Sequence, residues 1–65
     1  MISRMRTSDI DHARQIAERL DEAGLEVALI TEKVDEGEVY LIATPTSADD
    51  IREFVDGLEI IETDE

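Results

Sequence analysis

LEVALITEKVDEGEVYLIATP, residues Leu25 to Pro45, sets two runs of β-branched and aliphatic residues on either side of Asp35-Glu36-Gly37. Two such runs joined by a short glycine-containing turn read as a β-hairpin. With a three-residue turn and Gly37 in a left-handed conformation, Val34 pairs with Glu38. The register then runs outward through Glu32 with Tyr40, Ile30 with Ile42 and Ala28 with Thr44. Successive side chains of a strand point to opposite faces, so the register sorts the hairpin into two sides. Leu25, Val27, Leu29, Val39, Leu41 and Ala43 are expected to face the core. Ala28, Ile30, Val34, Tyr40 and Ile42, interrupted by Glu26, Glu32 and Glu38, are expected on the other side. That second side is apolar for a surface left in water.

The flanks of the hairpin repeat one another. Met1 to Arg6 has the length of a strand, and Thr7-Ser8-Asp9-Ile10-Asp11 has the punctuation of a helix start, with Ser8 as cap and Asp11 three places on. Ile10, Ala13, Ile16, Ala17, Leu20 and Ala23 recur at spacings of three and four, which predicts an amphipathic helix. Gly24 then Leu25 is a glycine stop with its hydrophobic contact. After Pro45 the same signs return in Thr46-Ser47-Ala48-Asp49-Asp50, with Ser47 as cap. Ile51, Phe54, Val55 and Leu58 mark a second, shorter helix, Gly57 its end, and Leu58 to Thr63 a last strand before a solvated Asp64-Glu65. The echo shows in the letters GLEVALITE and GLEIIETDE.

Two split βαβ units joined by a hairpin give β-α-β-β-α-β, the α+β ferredoxin-like plait. It has two layers: an antiparallel sheet of order 4-1-3-2, and both helices on one face. Without a strand at Met1–Arg6 the pattern falls back to α-β-β-α-β on three strands, with one more edge in need of a partner.

Sixty-five residues make a single domain, 1–65. A chain this short buries only ~60% of the surface its unfolded form exposes. It has no cysteine to staple it, so a partner chain is the simplest added support. No apolar run approaches the ~20 residues of a membrane span, and MISRMRTSD lacks the apolar stretch of a signal peptide. A cytoplasmic protein is expected. Eighteen acidic residues against five arginines and the lone Lys33 leave a net charge of −12. Hydrophobic residues still make up 42% and are patterned, which separates the chain from disordered acidic segments. A folded domain with a dense carboxylate coat and almost no lysine is expected of a protein from a molar-salt cytoplasm, where counterions screen its self-repulsion.

The inventory for catalysis is short. His12, the single histidine, has only carboxylates for company and reads as a surface side chain. Of three serines, Ser8 and Ser47 are accounted for as caps. No GxSxG, HExxH or P-loop pattern occurs. The carboxylate runs Asp49-Asp50 with Glu53, Glu18-Asp21-Glu22, Asp35-Glu36-Glu38 and Glu62-Asp64-Glu65 lack the ligand spacing of a calcium loop. No catalytic residue, cofactor or metal site is therefore expected, and the chain reads as a non-enzyme. Proteins that bind RNA on such a sheet stack bases on aromatics and neutralise phosphates with Lys and Arg. Here Tyr40 stands alone among glutamates, so nucleic acid is not an expected partner.

What remains is the second side of the hairpin. Ala28, Ile30, Val34, Tyr40 and Ile42, with Ile61 and Met5 alongside, are expected to form an apolar patch, and patches of that kind mark interaction sites. A two-fold homodimer, sheet face to sheet face or edge to edge, is the expected use, with an unidentified protein partner as the other.

Ala13, Ile16, Leu20, Gly24 and Leu25, in the passage Ala-x-x-Ile-x-x-x-Leu-x-x-x-Gly-Leu, lead from helix to strand. In this passage, and in VYLIATPTSADDIREFV over residues 39–55, the chain resembles the small ferredoxin-like domains of the prokaryotic signal-transducing protein family. The resemblance implies a plait with a regulatory role. More faintly the chain is similar to amino-acid-binding regulatory plaits, which dimerise through their sheets and place a glycine at the first strand-to-helix junction. Thr7-Ser8 stands at that junction here, so no ligand residue carries over. The reading is a small non-catalytic interaction or regulatory module of a haloadapted cytoplasm. The alternative is a ligand-binding regulatory domain using the free amides at Thr7–Asp9 or Thr46–Ala48.

Overall fold

Asp9, not Ser8, starts the first helix. In a computed structural model that describes residues 1–55 and 57–64, strand β1 (Ile2–Thr7) is followed by helix α1 (Ile10–Glu22). The Asp9 carboxylate accepts from the backbone N–H groups of Asp11 at 2.9 Å and His12 at 3.3 Å. A carboxylate one place after the expected serine thus satisfies two of the open amides of the first turn. At the far end Gly24, at φ +83°, turns the chain left-handed. The Leu25 amide donates to the Leu20 carbonyl and the Gly24 amide to the Asp21 carbonyl, the paired bonds of a Schellman stop. Ala13, Ile16 and Leu20 are buried along one face of α1, while Ile10, at its first turn, is 37% exposed.

Strands β2 (Ala28–Val34) and β3 (Gly37–Thr44) form the hairpin. Its register departs from the expected one: Val34 pairs with Gly37, Glu32 with Val39, Ile30 with Leu41 and Ala28 with Ala43. The loop is Asp35-Glu36 alone, and Gly37 belongs to the strand. Asp35 and Glu36 keep negative φ, and Gly37 takes φ +140°. An ordinary turn of two residues splays its strands, and a glycine in the third place absorbs the mismatch without a Cβ to clash. Moving the pairing by one residue turns one strand over relative to the other. β2 keeps its expected orientation and β3 does not.

After β3 come the short helix α2 (Ala48–Ile51), a 3-10 turn at Arg52–Phe54, and strand β4 (Ile61–Thr63). Ser47 sits at the cap position of α2, but its side chain makes no capping bond. The cap comes from the last strand, where a Glu62 carboxylate oxygen accepts from the Ala48 amide at 2.7 Å. Val55 leaves the turn extended, at φ −116° and ψ 112°, and is buried. Of the last expected strand only 61–63 is extended and paired, and the solvated end falls partly outside the described residues, which stop at Asp64.

All pairings are antiparallel, in the order β2-β3-β1-β4, which counted from the β4 edge is 4-1-3-2. The chain is therefore α+β, a four-stranded antiparallel sheet with two helices. Met5, Ala13, Ile16, Leu20, Ile42, Ile51 and Val55 form the core between helices and sheet. Fully burying one of the larger of these side chains contributes about 1.5–3 kcal/mol. Two polar side chains are buried with them, Ser3 and Thr44, paired across β1 and β3. Each hydroxyl donates to a carbonyl, Ser3 to Thr46 and Thr44 to Glu26 at 2.6 Å. No buried side-chain N or O among the described residues is left without a partner.

Candidate functional site

Met5, Ile42 and Leu29 are register partners, so they share the side of the sheet that faces the helices. The opposite side then carries Ile2, Arg4 and Arg6 from β1, Ala28, Ile30, Glu32 and Val34 from β2, Val39, Leu41 and Ala43 from β3, and Ile61 and Thr63 from β4. Of the five residues expected on this side, Ala28, Ile30 and Val34 are there. Ile42 is not: it is fully buried beneath the helices. Tyr40 is half-buried against the same core. Met5, expected alongside the patch, is also a core residue, while Ile61 is on the open side. The cause is the two-residue loop, which sets the even-numbered residues of β3 inward.

Val39, Leu41 and Ala43 take the vacated places, so the open side remains apolar with different members. Ile30 is 47% exposed, Val34 42% and Ile61 53%. Leu41 stands between Ile30 and Arg6 in one row, and Ala43 between Ala28 and Arg4 in the next. At the end of the face an open hollow of about 260 Å³ is lined by Ile2, Val27, Ala28, Ala43 and Pro45, with Glu26 and Thr44 beside it.

The charges on this side invert those of the chain. Glu32 is the only acidic residue among those named, against Arg4 and Arg6, in a protein with eighteen acids and six bases. Arg4 is half-buried and donates from Nη1 to the Thr63 hydroxyl at 3.0 Å. Arg6 and Glu32 are exposed, and their side chains have no hydrogen bond or ion pair with another described residue. The charge pattern of β1 held a signal for the facing: two arginines at alternate positions cannot both lie in a core, so Met5 must point inward and Ile42, beside it, with it.

The other candidate sites gather little. The His12 side chain is half-buried on α1. Among the described residues no group of three or more His, Asp or Glu side chains comes together in a way that would hold a metal ion. The amides that a ligand at the helix starts would use already have acceptors, the Asp9 carboxylate on α1 and the Glu62 carboxylate on α2. Among the described residues no helix is long and apolar enough to cross a membrane. Comparison with protein-family models, with curated proteins and with solved structures finds no match to this chain.

Proposed function

We propose that the chain is a ferredoxin-like plait acting as a non-catalytic interaction module, which self-associates through the open side of its sheet in a haloadapted cytoplasm. One observation carries this reading. The face built from Ala28, Ile30, Val34, Val39, Leu41 and Ala43 is apolar and, among the described residues, carries one acidic strand residue, Glu32, with Glu26 beside the hollow at its end, while the rest of the surface is dense in carboxylate. Two copies with a charge of −12 each repel one another from most directions. The open side is where that repulsion is weakest and the apolar gain largest. It has no aromatic side chain among the described residues, so bases have nothing to stack on there.

Size sets the strength. Four strands about 4.8 Å apart and some six residues long span a flat of roughly 19 by 20 Å, or about 400 Å² per copy. Stable interfaces bury around 800 Å² per partner, so the association is expected at the weak, reversible end. Sedimentation equilibrium up to about 0.5 mM protein tests it, since contacts of this size reach only micromolar to millimolar affinity. In molar salt the mass should rise towards two chains, and it should fall back as salt is removed and the repulsion returns. Leu41→Glu should hold the mass at one chain with unchanged ellipticity. A wild-type mass of one chain at every salt concentration overturns the reading. The haloadapted part stands or falls separately: ellipticity should decay on dialysis to millimolar salt, and a fold indifferent to salt removes it.

A further inference from the structure

We propose that the two copies pack face to face about a two-fold axis running along β3, so that Arg6 of each meets Glu32 of the other. The proposal rests on the self-association reading above and specifies its geometry. A two-fold that brings two sheets face to face along aligned strands lies between them, and its position decides which strand covers which. Over β1, the axis would set Arg4 and Arg6 against their own copies, like charge on like. Between β1 and β3, it would lay Arg6 on Leu41 of the other copy and leave Glu32 one strand further away, across a strand spacing of about 4.8 Å. Over β3, β1 of one copy covers β2 of the other.

In that third arrangement the row Arg6–Leu41–Ile30 meets itself in reverse, and Glu32 lies two residues further along β2. Two residues of a strand advance about 6.7 Å, within the reach of an extended arginine across sheets about 10 Å apart. Both charges are exposed and have no partner among the described residues, so neither gives up an existing bond to make the new one. The contact occurs twice by symmetry. Leu41 and Val39 then meet their own copies on the axis, and Arg4, which keeps its bond to Thr63, faces Ala28 near the hollow at the end of the sheet. The occupant of the face is thus a second copy of this chain, matched in the sign of these two charges.

Charge reversal tests it. Arg6→Glu and Glu32→Arg, each alone, place like charges opposite one another and should weaken dimerisation about tenfold or more, whereas the double reversal should restore it. The readout is sedimentation equilibrium at the lowest salt at which the wild type still pairs, with ellipticity confirming the fold of each variant. Arg6→Gln and Glu32→Gln, which introduce no repulsion, should weaken pairing less and in the same order. If the singles pair like the wild type while Leu41→Glu does not pair, the axis is misplaced although the interface stands. If the wild type itself does not pair, both fall. A double reversal no better than the singles also overturns the contact.

Discussion

The two sides of this sheet are close in composition and opposite in fate. The helix-facing side presents Met5, Tyr40 and Ile42 with the buried hydroxyls of Ser3 and Thr44, and at its β2 edge a Leu29 that is 41% exposed; the open side presents Ile2, Ile30, Val34, Val39, Leu41 and Ala43 with Arg4, Arg6 and Glu32. Hydrophobicity alone does not choose between them. The choice falls to what each side must do with its polar members. Ser3 and Thr44 can be buried because each hydroxyl finds a carbonyl within the chain, Thr46 for one and Glu26 for the other. Arg4 and Arg6 cannot be buried in a core on any terms the chain offers. A side is interior when its polar groups can be satisfied locally, and exterior when they need water or another molecule.

The sharpest way to break this contrast is to shorten one residue on each side. Ile42→Ala should cost about 2–5 kcal/mol in a urea melt, because it removes fully buried methyl groups and leaves a cavity. Leu41→Ala, its immediate neighbour, should cost well under half as much in the monomer. Equal losses at the two positions would mean that the register is not the one described. The hydroxyls give a second, smaller contrast. Thr44→Val strands the Glu26 carbonyl and the Thr46 hydroxyl and should cost about 1–2 kcal/mol. On the open side, Thr63→Val removes a bond from Arg4 that water can replace and should change stability by less than about 0.5 kcal/mol, read by the same melt.

The helix that covers one side offers a third handle. Asp9→Ala removes an acceptor shared by two amides and should destabilise by about 1 kcal/mol, whereas Ser8→Ala should be nearly silent. A larger loss at Ser8 than at Asp9 would move the start of α1 back to where its spelling first suggests.

Elements whose cause is local were legible in the letters. α1 and its stop follow from the spacing of Ala13, Ile16 and Leu20 and from Gly24-Leu25, all within a few residues of the bonds they make. The hairpin was legible for the same reason, whereas the pairing of β1 with β3 and β4, distant in sequence, was legible only through the repeated half-motif. The hairpin register was not. β3 reads Val-Tyr-Leu-Ile-Ala-Thr, apolar at nearly every place, so either face of it makes an acceptable interior and the turn alone decides. A two-residue and a three-residue loop are both consistent with Asp35-Glu36-Gly37. The facing of three of the five predicted patch residues survived because they lie on β2, and Tyr40 and Ile42 moved inward together. The cap on α2 was out of reach for another reason: Glu62 arrives from fourteen residues away, and only the folded sheet brings it there.

Ile2 pairs with Thr63, so the first strand begins where the last one ends, and the two run in opposite directions side by side. Tension applied at these two ends would load their three register pairs one after another rather than all together. The outermost strand would peel away like a zip at low force, taking with it the carboxylate that holds the start of α2. Pulled instead along the strands, from opposite ends of a neighbouring pair, the same sheet would have to shear several pairs in concert. The molecule is thus mechanically soft along the one direction in which a tether at both ends would pull it.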